Sequence, residues 1–183
     1  PELNRLVYQY FDLTDEEIAL VEDAWDVYMP SATPERYDKD IPTLRKTDPE
    51  QRLTYAEWLC RTLNRWAREA QPEGEEPPFR FVAETAQLSR IGQVIVTLRM
   101  ADAERKPVEV SCENAELEAA VGRVAALSSE EHGPFEYLYG IIAADGDAIR
   151  ILKPDQLGEW TRTAALNDAA EIFEAIVQAK RDA

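Results

Sequence analysis

Two apolar runs separated by a short polar stretch lie between Tyr137 and Lys153, and this pattern predicts a β-hairpin. The stretch reads YLYGIIAADGDAIRILK, in which two apolar runs flank Asp145-Gly146. A D-G pair between apolar runs is typical of a type I′ turn, because both central residues of that turn need φ > 0. In the second strand Ile149 and Ile151 share one face, while the residues beside them share the other. We therefore expect helices to cover at least one face of the hairpin.

A second hairpin is predicted upstream, from Phe79 to Thr85 and from Gln93 to Met100, because both stretches are rich in β-branched residues. The residues of its second strand divide between two faces, with Val94, Val96 and Leu98 on one and Ile95 and Thr97 on the other. A short strand at Val108 to Val110 and a helix from Asn114 to about Leu127 follow. Two hairpins with a helix between them predict an α+β fold, in which helices pack on an antiparallel sheet of about four strands.

Helical spacing at the start of the chain predicts an N-terminal helical segment, whose apolar residues are Leu3, Leu6, Val7 and Tyr10. Thr14 and Glu17 form a capping box, which predicts a second helix from Asp15 to about Ala24. Prolines between Met29 and Gln51 then favour a linker or a long loop.

A second capping box, formed by Thr54 and Glu57, predicts a helix to about Ala70. A final helix is expected with Asp168 and Glu171 at its start. The chain therefore divides into a helical segment at 1–28, a proline-rich linker or loop at 29–53 and an α+β domain at 54–183. Because the chain starts with Pro1 rather than Met, we expect the helical segment to continue from an upstream domain.

The charge of the chain is its strongest compositional signal. It has 36 acidic and 20 basic residues, a formal net charge of −16. Affinity for nucleic acid depends largely on Lys and Arg, so the surface as a whole is not that of a DNA-binding domain. An acidic excess is also a common source of solubility.

Other compositional signals predict a cytoplasmic protein without contact to a membrane. The chain has no apolar run of roughly 18 to 20 residues and no signal peptide pattern. Cys60 and Cys112 lie far apart and there is one histidine, which indicates neither a disulfide framework nor a zinc site.

No stretch of the chain has the pattern of a catalytic, cofactor-binding or metal-binding site. His132 lies close to Ser128 and Ser129, but neighbouring residues on one loop cannot form a triad by themselves, and no G-x-S-x-G motif is present. A surface histidine in a turn is the alternative that we favour. A small hydrolase therefore has no support in the sequence.

The stretch from Leu3 to Glu22, LNRLVYQYFDLTDEEIALVE, resembles the LN-x-LVY-x-LYGLT-x-EEI-x-x-VE segment found late in adenine-N6 DNA methyltransferases of restriction-modification and phage-defence systems. Phe11-Asp12 stands where that family often has Tyr-Gly. A capped pair of helices of no particular family is the alternative reading of the same residues.

The stretch from Asp145 to Ile172 resembles the DGDTLYIVKP-x-x-RRFWTRTAALNDADEI ending of proteins from the same setting. Leu157-Gly158-Glu159 replaces the basic residues of that pattern, and Ala170 replaces an aspartate. The basic and aromatic residues of this stretch are candidate contacts to DNA or to a partner: Arg150, Lys153, Trp160 and Arg162. Alternatively, Trp160 is a core residue flanked by salt bridges.

The tetrapeptide Glu76-Pro77-Pro78-Phe79 is similar to the Asp/Asn-Pro-Pro-Tyr/Phe motif of the same methyltransferases, but it follows a polar linker rather than an apolar strand, and we interpret it as coincidence. No glycine-rich loop for S-adenosylmethionine is present. The resemblance therefore implies an accessory domain without a cofactor of its own. The parent enzyme would use S-adenosylmethionine and would contact DNA, and this segment would brace its upstream methyltransferase domain. The alternative is a free-standing acidic module that binds a partner protein or mimics DNA.

Overall fold

The computed structural model describes residues 2–33, 40–72, 74–89, 91–111, 119, 122–123 and 140–181 of the 183-residue chain. The helix predicted from Asn114 to Leu127 lies almost wholly outside the described residues, as do Cys112, Ser128, Ser129 and His132. The described elements form an α+β fold, and this confirms the fold class predicted from the sequence.

The N-terminal segment contains α1 (Glu2–Tyr10), α2 (Asp15–Asp23) and α3 (Met29–Ala32), with a π-helical turn (Ala24–Tyr28) joining α2 to α3. The predicted capping box starts α2, since Thr14 accepts from the amide of Glu17 and the Glu17 carboxylate accepts from the amide of Thr14. Because the π turn continues the helix, the helix runs past its expected end at Ala24. We call residues 2–33 the N-terminal arm.

Helix α4 (Pro49–Glu69) begins five residues before the predicted start at Thr54. Asp48 and Gln51 form the capping box that starts it, and Pro49 occupies the first turn, where its missing N–H costs no hydrogen bond. Thr54 therefore lies inside the helix, and part of the stretch predicted as a linker at 29–53 is helical.

Helix α5 (Arg162–Arg181) also begins earlier than predicted. The hydroxyl of Thr161 accepts from the amide of Ala164 at 3.0 Å, so Thr161 satisfies an amide of the first turn. Asp168, the predicted cap, lies inside the helix and is buried.

A mixed sheet of five strands lies at the centre of the described structure. Its strands are β1 (Arg80–Leu88), β2 (Gln93–Ala101), β3 (Val108–Glu109), β4 (Ile141–Asp145) and β5 (Ala148–Pro154), in the order β3-β1-β2-β5-β4. The two predicted hairpins, β1-β2 and β4-β5, pair antiparallel through β2 and β5. The short strand β3 pairs parallel to β1, so the sheet has one strand more than predicted and is not purely antiparallel.

The turn between β4 and β5 consists of Gly146 and Asp147, since Asp145 pairs with Ala148. Gly146 has φ +66°, and Asp147 is not among the residues with positive φ. Glycine at the first central position with positive φ is the pattern of a type II′ turn rather than the predicted type I′. The D-G pair thus locates the hairpin correctly. The two-residue loop lies one residue further along the chain than the D-G pair predicts.

Helices α4 and α5 cover one face of the sheet, where the main core lies. Val94, Val96, Leu98 and Ile151 face these helices, as the alternation along β2 and β5 predicts. On the opposite face Ile95 and Leu152 join a smaller cluster with Ala86 and Leu88.

Candidate functional site

Lys153 lies inside the main core, beneath α4 and α5. It follows Ile149 and Ile151 on β5 at a spacing of two, so its side chain projects from the same face of the strand. Its ammonium group donates to Asp168 of α5, and it lies 5.7 Å from the ring centroid of Tyr55 and 6.0 Å from that of Trp160. We call Tyr55, Lys153, Trp160 and Asp168 the Lys153 cluster.

The Lys153 cluster is closed to solvent, since each of its four residues is 7% exposed or less. The hydroxyl of Tyr55 donates to Asp168, and burial together with that carboxylate raises the pKa of Tyr55 well above its usual value. Gly140 lies over the stem of Lys153, and a Cβ at this glycine would approach Cγ of Lys153 to 3.2 Å. The cluster therefore has its charges matched internally and no space for a substrate beside the lysine.

Two further candidate residues are also engaged inside the protein. Arg150 lies on the other face of β5, is 4% exposed, and donates to Thr97 and Asp145. Trp160 is 1% exposed and its indole N–H donates to the carbonyl of Pro154 at 2.7 Å. Trp160 therefore lies in the core, as the alternative interpretation of this residue predicts.

Arg162, the most accessible of the four candidates, binds the N-terminal arm. Its guanidinium group donates to Glu22 at 2.8 Å and to Asp23 at 2.9 Å. The other oxygen of Asp23 accepts from the amide and the hydroxyl of Thr163. Contact of these four residues with DNA remains a prediction, and it would require each side chain to leave its present partners.

The sequence analysis did not identify a second buried polar network, which joins the start of α4 to the end of β5. Asp155 accepts from the amide and hydroxyl of Thr47 and from Gln87, at 2.6 to 3.0 Å. Arg52 donates to the carbonyl of Thr47 and pairs with Glu109 of β3. Burial opposes ionisation of Asp155, but the hydrogen bonds from Thr47 and Gln87 outweigh it and lower its pKa. The network fixes the helix to the sheet.

A cleft of about 420 Å³ lies beside Cys60, Arg105 and Lys106. Burial raises the pKa of the Cys60 thiol to about 12, so this cysteine is not a thiolate at neutral pH. Among the described residues, no group of three or more His, Cys, Asp or Glu side chains is placed to hold a metal ion.

The N-terminal arm exposes a stripe of apolar residues on α1. Four side chains at helical spacing lie on one face of this helix and are all exposed: Leu3, Leu6, Val7 and Tyr10. We call these four residues the α1 stripe. A helix at a protein surface normally turns such a stripe towards the core. The α1 stripe is therefore the best candidate for a functional surface on this part of the chain.

The fold defines an α+β protein with buried polar clusters, and most of the large exposed apolar side chains of its described part lie on the N-terminal arm. Comparison of the chain with protein-family models, with curated proteins and with solved structures finds no match. None of the helices in the described ranges is both long and apolar enough to cross a membrane.

Proposed function

We propose that the chain is an accessory domain of an S-adenosylmethionine-dependent adenine-N6 DNA methyltransferase, in a cytoplasmic restriction-modification or phage-defence system. In this proposal the domain braces the methyltransferase domain of its parent enzyme. The parent supplies the cofactor site and the contact with DNA, and this segment supplies neither.

The α1 stripe is the observation that carries the proposal. Exposed apolar patches rimmed by polar residues mark interaction sites in proteins, and Leu6 and Tyr10 are 55% and 84% exposed. A neighbouring domain packed on this stripe would remove it from water. Full burial of an exposed apolar side chain contributes up to about 1.5 to 3 kcal/mol before the cost of association, so burial of all four favours packing of a neighbour.

The backbone at Asp12 supports the resemblance on which the proposal rests. Asp12 has φ +51°, in the left-handed region that favours glycine. It occupies the position at which the methyltransferase pattern has glycine. Glycine would adopt this conformation without strain, so the backbone at this position is compatible with the pattern although the residue differs.

Methyl transfer by the complete parent protein tests the proposal. We expect transfer from labelled S-adenosylmethionine to adenine N6 in DNA, and none from the isolated 183 residues. Leu6→Asp should lower the activity and the melting temperature of the parent. Ile91→Asp is the matched control, because Ile91 is 56% exposed in the turn between β1 and β2. Methyl transfer by the isolated chain, a parent that does not bind the cofactor, or equal effects of the two variants would contradict the proposal.

A second candidate function is a free-standing acidic module that binds a basic, DNA-binding protein. The net charge of −16 favours it, as does the internal pairing of the basic residues that were candidates for DNA contact. Such a module would compete with DNA for its basic partner. Salt would reduce this competition, and Leu6→Asp would not affect it. If the chain instead braces a parent enzyme through the α1 stripe, Leu6→Asp should weaken that contact and salt should not.

A further inference from the structure

The helix from Asp15 to Ala32 buries polar groups against the body of the protein and leaves several of its large apolar side chains exposed. On the inner side, Asp23 is buried against Arg162 and Thr163, and the hydroxyl of Tyr28 bonds to Gly158 and Thr161 at 3.0 Å. A surface helix normally turns its large apolar side chains towards the core. Ala19 of this helix is buried, but its larger side chains Trp25 and Met29 are left exposed for another surface.

Three of these outer side chains are spaced four residues apart: Val21, Trp25 and Met29 are 47%, 65% and 49% exposed. The π turn that includes Trp25 keeps them on one side, since its extra residue offsets the drift of an i, i+4 series around an α-helix. We call these three residues the Trp25 face. Tryptophan and methionine are enriched at the centres of protein interfaces.

An acidic cleft of about 370 Å³ adjoins this helix on the side of Asp26. Asp23, Asp26, Asp48 and Glu50 line it, and its basic residue Arg162 is already paired with acids of α2. Asp26 and Glu50 are exposed and form no ion pair with the described residues. The cleft therefore has unmatched negative charge.

We infer that the Trp25 face and the acidic cleft together bind a basic amphipathic helix of a partner protein. The apolar side of the partner helix packs on Trp25 and Met29, and its Lys or Arg side chains enter the cleft beside Asp26 and Glu50. A second copy of the chain does not fit, because each copy carries a net charge of −16. The inference does not depend on the methyltransferase assignment.

A synthetic amphipathic helical peptide provides the test. It carries Leu and Phe on one face and Lys and Arg on the other, and it lacks Trp and Tyr, so that the emission comes from the chain alone. Trp25 is the exposed one of its four tryptophans, and a change in emission that is lost in Trp25→Phe reports binding at this residue. The 183-residue chain is titrated with this peptide and with a version in which every Lys and Arg is Glu. We expect binding of the basic peptide alone, with a blue shift of the emission, and weaker binding as salt is raised.

Variants of the chain separate the two parts of the surface, with affinities measured by calorimetry. Trp25→Ala should weaken binding about tenfold or more, as expected for an interface anchor. Its control is Met100→Ala, because Met100 is 57% exposed on β2. Asp26→Asn/Glu50→Gln should also weaken binding, whereas Glu171→Gln/Glu174→Gln on α5 changes the net charge equally and should not.

Three results would overturn the inference: equal binding of the acidic peptide, equal losses in the test and control variants, or no binding of the basic peptide. A chain dimer in sedimentation equilibrium that Trp25→Ala dissociates would show that a second copy occupies the surface. Melting temperatures of all variants establish that they fold.

Discussion

Burial determines how much the ion pair between Lys153 and Asp168 contributes to the stability of the protein. Both residues are 7% exposed, and the hydroxyl of Tyr55 is a second donor to the same carboxylate. Taking two charges out of water is costly, so a buried pair contributes little beyond an apolar pair of the same size. Loss of one partner is different, because it leaves the other charge buried without compensation.

We predict that Lys153→Met or Asp168→Leu alone lowers the free energy of unfolding by about 3 to 5 kcal/mol. The double variant Lys153→Met/Asp168→Leu should lose much less than the sum of the two, because it leaves no isolated charge. Urea unfolding of the four proteins in a double-mutant cycle measures this coupling. Additive losses would mean that the two charges do not interact in the folded state.

Asp12 allows a separate prediction about backbone strain. Glycine adopts its φ of +51° without strain, whereas a β-branched residue does not. Asp12→Gly should leave α1 and α2 in place, and Asp12→Val should destabilise the turn between them by about 1 to 2 kcal/mol. Hydrogen exchange of the amides of residues 11–18 reports this locally. Equal exchange in the two variants would contradict a left-handed residue at this position.

At the scale of elements, the N-terminal arm is held to the body of the protein by charged contacts. Arg162 contacts both Glu22 and Asp23, and Arg65 donates to Glu16 at 2.6 Å. Large apolar side chains of the arm such as Trp25 are exposed, so polar contacts supply much of this attachment. Because the guanidinium group of Arg162 joins two acids of the arm, we expect the position of the arm to depend on it.

We predict that Arg162→Ala increases hydrogen exchange throughout residues 15–32 while exchange in the sheet stays unchanged. Arg162→Lys should restore only part of the protection, because a single ammonium group does not span two carboxylates as a guanidinium does. Arg61→Ala is the control, since its contact with Asp15 is longer, at 3.5 Å, and solvent-exposed. Unchanged exchange in Arg162→Ala would show that other contacts hold the arm.

Element positions could be predicted from the sequence where the signal is local. The turn glycine and the alternation along β5 locate the second hairpin, and the Thr14-Glu17 box locates α2. The predicted start of α4 was wrong because Asp48-Gln51 and Thr54-Glu57 both satisfy the capping pattern. Pro49 distinguishes them, since it is favoured at the first helical position.

The buried polar groups could be predicted only in part, because their partners are distant in sequence. Alternation along β5 places Lys153 on the same face as Ile151, so the sequence pattern is enough to predict that the Lys153 side chain points into the core. Its partner Asp168 lies 15 residues away, and Tyr55 lies 113 residues from Asp168. Which side chains meet there depends on how α4 and α5 pack on the sheet, and no local pattern contains that information.

At the scale of the whole molecule, aspartates with lowered pKa values determine how stability responds to acid. Hydrogen bonds from Arg123 and Arg150 lower the pKa of Asp145 from 3.8 to about 2, and the pKa of Asp155 is also lowered. A carboxyl whose pKa is lower in the folded state stabilises the protein above its unfolded pKa. That stability is lost as the pH falls through the folded value.

We therefore predict that the free energy of unfolding decreases as the pH falls from about 4 towards 2, the interval between the unfolded and folded pKa values of Asp145. Asp145→Asn should be less stable than the native chain at pH 7 and should lose less stability over this interval, because its amide does not titrate. Urea unfolding midpoints between pH 2 and 7 measure both effects. Asp147→Asn is the control, since Asp147 is the exposed neighbour of Gly146 in the turn. If both variants lost stability in parallel with the native chain, the arginine contacts of Asp145 would not persist in solution. The decline would then reflect the change in net charge of the whole protein from negative to positive.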